Sequence, residues 1–243
     1  MSLFEKIHIQ GFRRLHDVDL KLKPLNVVIG ANGSGKTSIL DVFSLLAASA
    51  SGRLKESISE QSGIDANLTN LLAANADKAR FMALDLAMEV QGQRPIEYRI
   101  ALAPQGVGYQ ISDETLTQQR GPNPPPFKHI QAHLADVRYF DNGLVRPTWE
   151  YDTTESALSQ VPKMFQEPED FRKRLASSTH YHVLDVSRRA PVRLPQQMRD
   201  AQLPGHDGED LVSCLYTLRE TDADRFDAIE ADRKSTRLNS SHG

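Results

Sequence analysis

Residues 25–42 read LNVVIGANGSGKTSILDV, and they decide the fold. Gly30-Ala31-Asn32-Gly33-Ser34-Gly35-Lys36-Thr37 satisfies the phosphate-loop pattern in full: glycine, four free positions, then Gly-Lys-Thr. The flanks agree with it. Residues 25–29 form a short apolar, β-branched run that suits a buried strand. Ile39, Val42, Phe43 and Leu46 then recur at helical spacing. The order is strand, glycine loop, helix, which predicts an α/β fold around an anion site.

Each residue type has a physical role in that site. Gly30, Gly33 and Gly35 let the backbone approach a phosphate closely. Successive N–H groups across Ala31, Asn32 and Ser34 form an anion nest. The helix that starts near Gly35 adds its positive end. Lys36 reaches β- and γ-phosphates, and the Thr37 hydroxyl ligates Mg²⁺. Ser38 adds a hydroxyl on the α-phosphate side. The expected cofactors are therefore ATP and Mg²⁺.

Two short strands precede the loop. Ile7-His8-Ile9 alternates, Gly11-Phe12-Arg13-Arg14 interrupts, and Val18, Leu20 and Leu22 alternate again with Asp19 and Lys21. Taken together, residues 8–46, HIQGFRRLHDVDLKLKPLNVVIGANGSGKTSILDVFSLL, resemble the ABC-type ATPase heads of the RecF and SMC-like group. The segments HYHVLDVSRRAPVRLPQQM and LPGHDGEDLVSCLYTLRE are similar to later parts of RecF-like members, often called AAA family ATPases. The resemblance implies a P-loop NTPase, the N-terminal part of an ABC-type head, with an antiparallel β-rich subdomain and flanking helices. It implies that Arg13, at the Gly-Phe-Arg position, approaches nucleotide phosphate, with Arg14 as the fallback. It also implies a homodimer of heads that sandwiches ATP, acting in DNA repair or anti-phage defence with DNA or an effector as partner.

The middle of the chain reads as a β-rich insertion over about residues 80–140. Met82, Leu84, Leu86, Met88 and Val90 occupy every second position; Ile96, Tyr98, Ile100 and Leu102 repeat the pattern, as do Val107, Tyr109 and Ile111. Such a meander buries one face, and it argues against a transporter ATPase subunit, in which a helical subdomain would follow the loop sooner. GPNPPPF at 121–127 reads as a stiff surface loop. His129 and His133 sit four apart, on one face if helical, without a third ligand at metal spacing. His180 and His182 would share a strand face. Helical signals occupy residues 152–231, opened by Glu167-Pro168-Glu169-Asp170 and interrupted by a strand at 181–186. The arginines Arg188, Arg189 and Arg193 beside that strand read as a solvated loop, with phosphate, DNA or a partner head as the sharper alternative.

Residues 232–243, DRKSTRLNSSHG, match the translation of a common sequencing adapter. The expected organisation is a partial head over 1–231 and a non-native tail over 232–243. Without that tail, Lys and Arg number 26 against 31 Asp and Glu, so the net charge moves from -3 to -5. That balance argues against a generic electrostatic nucleic-acid coat. A single cysteine, Cys214, excludes an intramolecular disulfide and a cysteine metal cluster. No apolar run reaches membrane-span length, so a cytoplasmic protein without a membrane partner is expected.

Hydrolysis also needs a carboxylate on a second strand. The one Asp-Glu dipeptide, Asp113-Glu114, lacks an apolar strand before it, and no Leu-Ser-Gly-Gly-like signature occurs. Catalytic residues are thus not identifiable in this chain, an absence that fits the expected truncation. The intact protein is expected to be an ATPase. A non-hydrolysing nucleotide sensor is the alternative, and a transporter subunit the weaker third.

Overall fold

The structure is a computed structural model; it describes residues 4–69, 80–121, 125–140, 144–145, 151–177, 187–205 and 208–240. The chain divides into two units, Met1–Ser178 and Thr179–Gly243. The first unit holds strands β1 (Phe4–Phe12), β2 (Leu15–Lys21), β3 (Met82–Met88), β4 (Ile96–Gln105), β5 (Gly108–Gln118), β6 (Phe127–His133), β7 (Asp136–Phe140) and β8 (Leu144–Val145). They form one sheet in the order β2-β1-β3-β4-β5-β6-β7-β8. Every pairing is antiparallel. Helices α1 (Lys36–Ala50), α2 (Leu54–Glu60), α3 (Ile64–Asn67) and α4 (Gln166–Ala176) complete this unit. The second unit contains a 3-10 turn (Pro191–Arg193), α5 (Leu211–Thr221) and α6 (Ala223–Ser240).

Strand alternation explains the two faces of the sheet. Ile7, Leu86, Tyr98, Leu116, Ile130 and Tyr139 lie opposite one another across six strands. All six are buried, and they share one core with Val42, Leu45 and Leu46 of α1 and Phe171 and Leu175 of α4. The neighbouring positions form a charged ladder on the other face. His8 pairs with Asp17 at 2.6 Å and Asp85 at 3.2 Å, and Arg99 donates to both oxygens of Asp85 at 2.8 and 2.7 Å. The Asp17 carboxylate raises the His8 pKa. These cross-strand pairs hold β2, the sheet edge, to β1 and β3.

Three expectations are corrected here. Residues 25–29 do not form a strand; Leu25 is 80% and Ile29 90% exposed. A continuous apolar run suits a strand buried on both faces between parallel neighbours. Every described pairing in this sheet is antiparallel, and no described strand pairs with residues 25–29. His129 and His133 lie on β6, not on a helix; His129 is buried and His133 exposed. The meander extends further than its three readable strands, through β6, β7 and β8. The helix entry at 167–170 lies in the first turns of α4. Helix α6 spans Ala223–Ser240. The strand expected at 181–186, with His180 and His182, lies outside the described residues. No helix among those described is long and apolar enough to cross a membrane.

Candidate nucleotide-binding site

The loop follows the sheet edge. After β2, the Asn26 amide closes a turn, accepting from the Lys23 N–H at 3.0 Å and donating to its carbonyl at 2.6 Å. The chain then runs to the glycine loop. Gly33 and Gly35 take φ of 77° and 98°, values that residues with a Cβ rarely adopt. Gly35 is the N-cap of α1 and offers no side-chain acceptor to its first turn. The leading N–H groups of α1 lack a side-chain cap, the condition under which a helix N-terminus binds anions.

Lys36 leads α1. Its ammonium donates to the Gly30 and Ala31 carbonyls, both at 2.7 Å, and so folds back over the loop. Thr37 is exposed beside it, and Ser38 is buried at the same end of the helix. The loop opens into a cavity of about 1360 Å³. It is lined by residues 32–38 of the loop and helix start and by Arg13, Arg14, His16, Ala66, Leu68 and Thr69. None of the described lining residues is acidic. The structure thus brings the seven residues from Asn32 to Ser38 together around one cavity, with Gly30 and Ala31 joined through Lys36.

The two arginines beside the loop are held by different partners. Arg14 donates to the Gly33 carbonyl at 2.8 Å and stands against the loop. Arg13 takes φ of 48° and also lines the cavity. Its guanidinium is held by the Asp41 carboxylate of α1, by Asn67 Oδ1 at 2.8 Å and by Gln61 Oε1 at 3.1 Å. Both arginines line the cavity, Arg14 against the loop carbonyl and Arg13 within its own network. A guanidinium paired with a carboxylate and two amides gives up charge-assisted bonds before it reaches a phosphate. Sequence reading missed Asp41, Gln61 and Asn67. Their pairing with Arg13 spans 28, 48 and 54 positions and leaves no local signal.

Glu114, from the one Asp-Glu dipeptide, is fully buried in β5 and absent from the cavity lining. It accepts from the Tyr98 hydroxyl at 2.9 Å and from the Ala157 and Leu158 N–H groups at 2.7 and 2.9 Å. Burial pushes its pKa up to about 7. Its role is to pin the segment before α4 onto the sheet.

Gly35 supplies a first test of the loop. A Cβ there would stand 3.1 Å from Leu15 Cδ2, on a backbone that already disfavours one. Gly35→Ala is expected to destabilise the chain by about 1–2 kcal/mol and weaken nucleotide binding. Urea unfolding and Mg-ATP titration of the variant measure both. An unchanged midpoint and affinity would show that the loop is not held in this conformation.

A glycine nest on a helix N-terminus, with a lysine folded over it, defines a P-loop nucleotide-binding site. Residues 3–117 match the AAA ATPase domain family. Over that stretch, a little under half of its length, the chain is similar to this family. The chain is 46% identical over 54 residues to the DNA replication and repair protein RecF of Pseudomonas savastanoi pv. phaseolicola, covering 22% of this chain and 14% of that protein. It is 41% identical over 44 residues to the OLD nuclease of Thermus scotoductus, covering 18% of this chain and 8% of that protein. The matched stretches thus span only small parts of these relatives. A solved structure from work on ATP-driven dimerisation and DNA-stimulated activation of SMC ATPases is 21% identical, covers 49% of this chain and 72% of that one, and has a TM-score of 0.36.

Proposed function

We propose that this chain binds Mg-ATP at the loop Gly30–Thr37, and that the protein it belongs to is an ATP-driven switch that works as a dimer of heads in DNA repair or anti-phage defence. The observation that carries this reading is the loop itself: Lys36 folded over the Gly30 and Ala31 carbonyls beside an uncapped helix start. Lys36 and the first-turn N–H groups hold the phosphates, and Arg14 moves from the Gly33 carbonyl to a phosphate oxygen. Thr37 would hold Mg²⁺ through its hydroxyl, and the bound ion would neutralise phosphate charge.

Hydrolysis needs a water-positioning group as well, and none of the described lining residues carries a carboxylate. The chain as it stands is therefore expected to turn ATP over slowly or not at all, with the missing group supplied by other residues of the whole protein. A second reading, a nucleotide sensor that never hydrolyses, draws on the same absence. A phosphate-release assay on the whole protein separates the two. Turnover that Lys36→Ala removes supports the switch; binding without turnover supports the sensor. Robust Lys36-dependent turnover by this chain alone would overturn the claim that it lacks the water-positioning group.

A further inference from the structure

We infer that His16 receives the base of the bound nucleotide, its imidazole lying flat against the base ring. This rests on the nucleotide reading of the loop. His16 lines the cavity and is exposed there. It lies on β2, two positions before Val18. By strand alternation it shares the face of Val18 and Leu20, which pack against the core. The core thus ends at Val18, and the next position on that face opens into the cavity. Across the hairpin, His16 stands between the Gln10–Asp17 and Phe12–Leu15 pairs, opposite Gly11, which has no side chain to cover the ring. Among the described residues the imidazole has no hydrogen-bond or ion-pair partner. His8, by contrast, is held between Asp17 and Asp85, and His129 is buried. No structural bond occupies the His16 ring.

Its place along the loop points to the nucleoside end. Arg14 stands against Gly33, and Leu15 stands against Gly35. Residues 14 and 15 therefore follow the loop toward the start of α1, and His16 is the next in that direction. Lys36, the first N–H groups of α1 and Arg14 serve the phosphates. The loop leads from the β- and γ-phosphates, which the lysine reaches, to the α-phosphate side at Ser38. The nucleoside lies beyond it. The cavity, about 1360 Å³, exceeds the range of about 300–1,000 Å³ usual for small-ligand sites, so a nucleoside fits beside the triphosphate. His16 carries the one aromatic ring among the described lining residues. Both guanidiniums there are engaged, by the Gly33 carbonyl and by the Asp41, Gln61 and Asn67 side chains. Every base has a π-face, so a stack of this kind accepts adenine and guanine alike.

The test measures ATP, GTP and inorganic tripolyphosphate, each with Mg²⁺, by calorimetry on the full chain. Tripolyphosphate reads the loop alone; the nucleotides read loop and stack together. His16→Ala is expected to weaken ATP and GTP in parallel, by about 5–150-fold, as loss of one base–aromatic stack does. Tripolyphosphate affinity is expected to stay as in wild type. His16→Phe, which keeps a flat ring, is expected to hold both nucleotides within about threefold of wild type, whereas His16→Gln is expected to behave like His16→Ala. The side chain is exposed, so all three variants are expected to fold. Equal loss of tripolyphosphate and ATP in His16→Ala would assign the imidazole to phosphate and overturn the inference. Recovery by His16→Gln but not His16→Phe, or loss of ATP alone with GTP intact, would replace the stack by a hydrogen bond to the base and also overturn it. Unchanged nucleotide affinity in His16→Ala does the same. A wild-type chain that binds none of the three ligands overturns the nucleotide reading and this inference with it. Tripolyphosphate bound as tightly as ATP overturns the inference alone.

Discussion

Lys36→Ala is expected to remove the thermal stabilisation of this chain by Mg-ATP while leaving the melting temperature of the free protein nearly unchanged. The lysine is half-buried, and its bonds go to two loop carbonyls at the rim of the cavity. Substitutions at such sites stay within about 0.5 kcal/mol. Its loss from bound nucleotide is larger. A charged donor to phosphate contributes about 1.5–3 kcal/mol, equal to about 10–150-fold in affinity. Stabilisation by a ligand grows with the logarithm of its concentration over Kd. A ligand concentration that shifts the wild type clearly should therefore barely shift the variant. Differential scanning fluorimetry across an Mg-ATP series checks this. Equal shifts in both proteins would remove Lys36 from the site.

Glu114→Ala is expected to have the largest effect on stability. It leaves the Tyr98 hydroxyl and the Ala157 and Leu158 N–H groups without their acceptor in a buried place. At about 1–3 kcal/mol for each unsatisfied group, the loss is about 5 kcal/mol, against a total stability of about 5–15 kcal/mol. Urea unfolding measures it, and a loss below about 2 kcal/mol would show that Glu114 does not anchor the segment before α4.

The pH dependence is more specific. Burial raises the Glu114 pKa from 4.5 to about 7. Its contribution is full below about pH 4.5 and is lost as pH rises through 7. His129 runs the other way. It is buried against Phe127, its Nε2 has no hydrogen-bond partner among the described residues, and burial lowers its pKa from 6.5 to about 4. Its contribution is full above about pH 6.5 and is lost as pH falls toward 4. Between pH 7 and 5 the two changes oppose each other at about 2 kcal/mol each, so the pair leaves the wild-type curve nearly level. Glu114→Gln, which no longer titrates, is expected to expose the histidine: stability falls by about 2 kcal/mol from pH 7 to 5 relative to wild type. Adding His129→Leu should flatten the difference again. Other titrating groups, including the raised His8, are common to all three proteins and cancel from it. A Glu114→Gln curve parallel to wild type would contradict the assignment.

The part of the fold that could be read from sequence follows the range of its interactions. The loop is a local motif: Gly35, Lys36 and Thr37 act within a few positions of one another, so their arrangement is written in the spacing. The strands β3 and β4 were legible because Met82, Leu84, Leu86 and Ile96, Tyr98, Ile100 alternate without interruption. Glu114 was not. Counting by twos from Tyr109 and Ile111 places Asp113 inward. A bulge skips Ser112, however, since Ala101 pairs with Asp113 and Leu102 with Ile111. The face therefore changes, and Glu114 and Leu116 turn to the core. The partners of Arg13 were equally hidden. They are Asp41 and the Gln61–Asn67 segment, which reach the β1 end only through the tertiary fold. The run at 25–29 reads as a buried strand because its side chains suit one, while pairing depends on neighbours, and no described strand pairs with it.

The central claim is that the Gly30–Thr37 loop holds the triphosphate of a nucleotide. Phosphorus NMR of Mg-ATP titrated with the chain tests it most directly. The account predicts that the β- and γ-phosphate signals shift or broaden with wild-type protein and recover with Lys36→Ala. Phosphate signals unchanged at stoichiometric wild-type protein would contradict it.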